Sequence, residues 1–296
     1  MPAANDFSPA TQAWLAIGRH LTIAGMRIFV HERGTGSAIL LLHGFPTSSY
    51  DWRGAAERLA ESHRVIAPDF PGFGLSDKPE AYSYSLFQQA DVINGLAEQL
   101  SIERAHVVSH DMGTSVHCEL LAREQRESLR WSITRSTFLN GSMLQWLAKI
   151  TPFQELLATN ATLPQAIELC NSSMEAMYVP ALKAIMKRPD CVSEEDATVM
   201  NELLAYQEGH RRLPAISGYM RERYLHRDRW LGALANARPL QFIWADGDPI
   251  AHAEMGRELS RMCPQADYAE LADLGHFLLM EDAARVVAEI DRFARA

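Results

Sequence analysis

The stretch Ser109-His110-Asp111-Met112-Gly113 has the spacing of a strand-to-helix turn that carries a nucleophile between small residues. The small flanks are required because the central residue holds a strained backbone and its neighbours pass close by. In this frame the central residue is Asp111. Moving the frame to Ser109 puts Val107 and Asp111 at the small positions, which fails. A carboxylate is ionised at neutral pH and needs no base before it attacks. It can displace an oxygen or a halide from an sp³ carbon, leaving an alkyl ester on the protein. Cleaving that ester with water requires a general base, and N–H donors for the oxyanion.

Residues of the right type follow in chain order. Ala245-Asp246-Gly247-Asp248-Pro249 closes an apolar run with acids, and Leu274-Gly275-His276-Phe277 places a histidine just after a turn glycine. Nucleophile, acid, base is the order of the hydrolase triad. Asp248 is preferred to Asp246 because Asp-Pro at a strand exit leaves the carboxylate free to orient an imidazole. For the oxyanion, Met112 supplies the N–H that follows the nucleophile, and Phe45, in His43-Gly44-Phe45-Pro46, supplies the second. His43, His106, His110 and His117 fit local hydrogen bonding, and none has HExxH metal spacing. His110, next to the nucleophile, is also a candidate substrate contact.

These residues need a scaffold that brings strand ends together. Apolar runs at 38–42, 64–67, 105–108, 136–139 and 240–244 each end in turn or chemistry-bearing residues, as strands buried on both faces of a parallel sheet do. Helical spacing lies between them, over 55–60, 86–100 and 116–122. Strand alternating with helix predicts an α/β protein with a mostly parallel, doubly wound sheet and its site at the strand ends. From about 143 to 229 no strand pattern occurs, only helical stretches broken at Pro152, Pro164, Pro180, Pro189 and Pro214. That is too long for a loop. It predicts a helical cap over 143–229, inserted in a core of 1–142 and 230–296.

The net charge of −9 argues against a nucleic-acid partner. The basic residues at 210–212 and 221–229 alternate with acids and aromatics and read as solvated helix faces. Four scattered cysteines suggest neither a metal site nor a disulfide framework. No apolar run is long enough to span a membrane, and the first residues lack the pattern of a secretory leader. A cytoplasmic protein without metal or cofactor is expected, and a homodimer is compatible with the sequence.

The segments HGFPTSSYDW (43–52), DFPGFGLSDKP (69–79), SHDMG (109–113), Asp248-Pro249 and GHF (275–277) resemble α/β-hydrolase-fold enzymes with an aspartate nucleophile, the epoxide hydrolases and haloalkane dehalogenases. Within that group, Trp14, Gly18-Arg19, Gly25-Met-Arg27-Ile-Phe29 and Arg229-Trp230-Leu-Gly-Ala-Leu234 are most similar to the mesoderm-specific-transcript branch. The resemblance implies the α/β-hydrolase fold, with the cap entering after the sixth strand. Its dehalogenases bind halide through side-chain N–H groups near the nucleophile, which Met112 and Phe45 lack. Those acting on fluoroacetate carry arginines just after the nucleophile, where this chain has Gly113-Thr114-Ser115. Its epoxide hydrolases open the ring with cap tyrosines, and Gly218-Tyr219-Met220-Arg221 resembles the segment carrying one of them. Tyr219 is the candidate, with Tyr224 as the alternative. For the early cap, Trp146 and Tyr178 are candidate substrate contacts, and the Trp146 indole keeps a halide site open. The resemblance thus implies hydrolysis of a small apolar epoxide by water, with haloalkane dehalogenation or a non-catalytic small-molecule binder as alternatives.

Overall fold

Alternate residues of the central strands enter different apolar layers. Ile39 and Leu41 join one buried cluster, while Leu40 and Leu42 join the other. This two-sided burial is why their sequence reads as unbroken apolar runs. The computed structural model describes residues 6–295. Its strands are β1 (Gly18–Ile23), β2 (Met26–Arg33), β3 (Ala38–Leu42), β4 (Arg64–Pro68), β5 (Arg104–His110), β6 (Ser132–Leu139), β7 (Leu240–Ala245) and β8 (Asp267–Leu271). They form one eight-stranded sheet in the order β1-β2-β4-β3-β5-β6-β7-β8. β1, β2 and β4 pair antiparallel, and every pair from β4 through β8 is parallel.

The sequence pattern predicts β3 to β7 but not β1, β2 or β8. β1 and β8 lie at the sheet edges and leave most of their residues partly exposed. They therefore carry polar residues and no apolar run. β1 and β2 meet in a tight hairpin at Ala24-Gly25, whose φ values of 49° and 79° suit a primed turn.

Helices Arg53–Leu59 and Ala283–Arg295 cover one face of the sheet, and Leu86–Gln99, Met112–Glu124, Arg227–Asn236 and Ala253–Met262 the other. Between β6 and β7 the described chain is helical or irregular, with helices Pro152–Ala158, Leu163–Ser172, Met174–Lys183, Glu194–Ala205, Leu213–Ile216 and Tyr219–Leu225 before Arg227–Asn236. The prolines punctuate this segment differently from the expected breaks. Pro152, Pro164 and Pro214 open helices, where the missing N–H is tolerated, and only Pro180 lies inside one.

The insertion returns to the core through Glu119, on the helix that follows the elbow. Its carboxylate accepts Arg229 Nε and Nη2 at 2.7 and 2.9 Å, Trp230 Nε1 at 3.0 Å and Arg123 Nε at 2.9 Å. Burial pushes the Glu119 carboxyl up, but the hydrogen bonds from Arg229, Trp230 and Arg123 outweigh it and hold the pKa below its usual value. Removing one partner of a buried, hydrogen-bonded ion network leaves charges uncompensated, at a cost of about 3–5 kcal/mol. Glu119→Ala is expected to lower the unfolding free energy by about that amount. Urea denaturation checks it, as a lower midpoint with an unchanged slope.

Candidate active site

β5 ends at His110, the helix Met112–Glu124 begins two residues later, and Asp111 makes the whole turn between them. Its φ of 46° and ψ of −115° are strained for a side-chain-bearing residue. The turn is possible because its neighbours are glycines. A Cβ on Gly113 would lie 2.5 Å from the His43 carbonyl oxygen, and one on Gly44 would lie 2.6 Å from Asp111 Cβ. Ser109 points elsewhere: its Oγ hydrogen-bonds His117 Nδ1 at 2.9 Å, beneath the turn.

The Asp111 carboxylate is buried and its two oxygens face different partners. Oδ1 accepts the Phe45 N–H at 2.8 Å, and Oδ2 lies 3.8 Å from His276 Nε2. Met112 is the first residue of its helix, so its N–H has no acceptor within that helix. His276 Nδ1 is 2.8 Å from Asp248 Oδ2. The other Asp248 oxygen accepts the N–H groups of Ile250 and Ala251 at 2.7 and 3.0 Å, which fixes the carboxylate. Asp246 instead accepts the Asp273 N–H at 2.9 Å and holds the turn after β8.

Charge and burial compete at each group. Burial pushes Asp111 up, but Arg223, then His276 and His110, and the Phe45 hydrogen bond outweigh it and hold the carboxyl below its usual value. Burial pushes His276 down, but the Asp248 charge and hydrogen bond and the Asp111 charge raise it to about 9.

The other candidates are distributed unevenly. A cavity of about 320 Å³ opens over Asp111 and His276, lined by Phe45, Pro46, Phe153, Leu169, Met174, Leu182, Ile185 and Ile250 among others. Tyr178 lines it and its hydroxyl donates to the Pro46 carbonyl at 3.2 Å. Trp146 does not: it is 56% exposed and lies outside the lining, so its indole offers no halide donor there. His110 is not a lining residue either. Its Nε2 binds the His276 carbonyl at 2.8 Å, and burial lowers its pKa to about 4. Tyr224 is 69% exposed, whereas Tyr219 is buried against Phe45, ring centroids 5.4 Å apart.

Three residues were assigned no site role from the sequence. Gln154 lines the cavity and its Nε2 donates to the Tyr219 hydroxyl at 3.3 Å. Its Oε1 accepts the Thr151 N–H at 2.8 Å, which fixes the amide's orientation. Thr151-x-x-Gln154 is a legible capping box, and that is the signal that could have found it. Asn140, at the end of β6, accepts the Ala245 N–H and donates to the carbonyls of Gly275 and His276. Arg223, within a stretch expected to be a solvated face, is buried behind the elbow. Its i, i+4 spacing from Tyr219 was the available clue.

A parallel sheet whose fifth strand turns into a helix over an acid–imidazole pair defines an α/β hydrolase. The chain belongs to that family: the alpha/beta hydrolase family matches residues 39–290. It is 34% identical over 284 residues to the "Putative hydrolase LipZ" of Mycobacterium tuberculosis, covering 95% of this chain and 96% of that one. It is also 34% identical over 289 residues to the mesoderm-specific transcript homolog protein of Bos taurus, covering 94% and 85%. Among solved structures, the Cif epoxide hydrolase from Acinetobacter nosocomialis superposes with a TM-score of 0.75 at 19% identity, covering 93% of this chain and 88% of that one. At that identity the likeness is one of fold.

The raised His276 pKa yields a check. Asp248→Asn removes the largest contribution holding the imidazolium, so the His276 midpoint is expected to fall from about 9 to below it, toward or under 6.5. Histidine ¹H–¹⁵N NMR across a pH series reads it directly. Because the folded pKa lies above the unfolded one, the interaction stabilises fully below pH 6.5 and is lost as pH rises through about 9. The stability gap between wild type and Asp248→Asn should close over that window.

Proposed function

We propose that this hydrolase opens neutral, apolar epoxides to diols through an ester on Asp111. The carrying observation is the Asp111 carboxylate, with Oδ1 on the Phe45 amide and Oδ2 facing His276 below the cavity. Asp111 Oδ2 attacks an epoxide carbon and the C–O bond breaks. The released alkoxide takes a proton from Tyr219. Burial, and then the Asp111 charge, push the Tyr219 hydroxyl above its usual pKa, so it stays protonated at neutral pH. Gln154 donates to the tyrosine oxygen, which leaves the hydroxyl proton free for another acceptor. Gln154 lines the cavity and Tyr219 lies directly behind it, against Phe45.

His276 then takes a proton from water, and the hydroxide adds to Asp111 Cγ. The oxyanion forms on Oδ1, over the Phe45 and Met112 N–H groups. Collapse breaks the Cγ–Oδ2 bond: Oδ2 leaves as the second hydroxyl of the diol, taking the proton of the newly formed carboxyl, and the water oxygen stays on Asp111. His276, protonated at rest, recharges Tyr219 before it takes the proton from water, so the cycle ends with His276 protonated again. Asp248 keeps the imidazole oriented throughout. The lining supports a neutral substrate: among the described residues it carries no charged side chain apart from Asp111 and His276. Neither Tyr219 nor Trp146 is a lining residue, but epoxide is favoured over halide because the Tyr219 phenol is buried and hydrogen-bonded to the lining residue Gln154, while the Trp146 indole is exposed.

Intact mass spectrometry of His276→Gln, incubated with panels of epoxides and alkyl halides, tests this reading. Epoxide opening keeps the substrate oxygen, so the chain should gain the mass of the whole epoxide, mapped to Asp111. A gain of the alkyl group alone would make the protein a dehalogenase. No adduct from either panel would overturn both and favour a binding role.

A further inference from the structure

Helix Tyr219–Leu225 sends a buried guanidinium to the back of the elbow. Arg223 is 5% exposed, donating from Nη2 to the Asp111 main-chain oxygen at 2.9 Å and from Nε to Ser115 Oγ at 2.7 Å. Its Cζ lies 4.7 Å from the centre of the Tyr219 ring. These contacts are a carbonyl, a hydroxyl and a ring face, all neutral. Holding a buried cation on neutral groups is costly, so its charge must act on something nearby.

The titratable groups around Asp111 come from every element packed there. His110 belongs to β5, His43 and Asp51 to the segment after β3, Cys118 to the helix Met112–Glu124, His276 to the loop after β8, and Tyr219 and Arg223 to the segment between β6 and β7. Asp248, after β7, reaches the cluster through His276. Arg223 is the cation among them whose charge pH does not change in the working range.

We propose that Arg223 is a positioning residue that biases the charge states of the site, favouring carboxylate at Asp111 and opposing the proton on His276. A fixed positive charge stabilises an anion beside it and opposes a second cation. Arg223 has both effects, lowering Asp111 and opposing the protonation of His276. This rests on the reading above, since an ionised nucleophile and an uncharged base are what its two steps require. The same guanidinium also braces the strained turn by holding the Asp111 carbonyl and the first turn of the following helix together.

The test is a titration of the full chain without substrate. Carboxyl ¹³C NMR of aspartate-labelled protein follows Asp111, assigned by Asp111→Asn, and imidazole ¹⁵N NMR follows His276, assigned by His276→Gln. In Arg223→Met both midpoints are expected to rise by about one pH unit or more. Arg223→Lys, which keeps the charge, should leave both near wild type. Ser115→Ala, which removes one hydrogen bond but no charge, should do the same. If Arg223→Met does not fold, Arg223→Gln keeps a donor for the Asp111 carbonyl without the charge and carries the same test. A folded, uncharged variant in which either midpoint stays put overturns the proposal. The titration uses no substrate, so it stands or falls separately from epoxide hydrolysis.

Discussion

A carboxylate kept ionised in a buried site governs how this structure is arranged. Burying an ion costs several kcal/mol unless it is paired and hydrogen-bonded. Asp111 sits where a strand becomes a helix, so it also carries backbone strain at φ 46°. The surroundings offset both terms. Oδ1 has the Phe45 N–H, the helix Met112–Glu124 points its positive end at the residue, and Arg223 and His276 bring positive charge. Gly44 and Gly113 leave room for this, because a Cβ at either would collide with Asp111 or with the strand beside it.

The partners of Asp111 are held from several directions at once. The His276 N–H donates to the Ile185 carbonyl of the insertion at 3.0 Å, while its own carbonyl receives His110 and Asn140. Glu281 accepts the N–H of Gly275 just before the imidazole and the N–H groups of Lys187 and Arg188 in the insertion. The imidazole loop and the insertion therefore share one carboxylate anchor. On the opposite side, Arg223 joins the last part of the insertion to the turn itself. The segment between β6 and β7 is thus bonded to both sides of the turn, and a displacement of it would move the His276 imidazole and the Asp111 backbone together.

Legibility in the sequence followed the physics of each residue. β3 to β7 announce themselves because both faces are buried, and β1 and β8 do not because an edge strand can be polar. Asp111 and His276 stood out because local turn chemistry, glycines at fixed offsets, marks their positions. Tyr219 could be read only through resemblance, and nothing local separated it from Tyr224. The difference is burial, set by which face of a short helix meets Phe45. Arg223 was misread for the same reason: a basic residue among acids and aromatics looks solvated until the partner surface is known. Trp146 had the right chemistry and the wrong side of the chain. His110 sits beside Asp111 in sequence, but its ring turns beneath the imidazole loop.

The charge of the resting site also bears on the choice between leaving groups. With Asp111 ionised, His276 has a pKa of about 9 and carries a proton at neutral pH. An imidazolium cannot act as a base, so the resting enzyme is unready for the second step. Forming the ester removes the Asp111 charge, which helps hold the proton on His276 and so raises its pKa. Burial and Arg223, which both lower it, then weigh more heavily, and the imidazole tends to lose its proton. In the proposed reaction that proton is released as an alkoxide appears and Tyr219 needs to be recharged. An epoxide gives the site a use for the proton at the moment it becomes available. A halide leaves as a weakly basic anion with no need of it, so the same charge change would have to expel a proton from a buried cavity. The balance of charge, independent of any single donor, favours an oxygen leaving group.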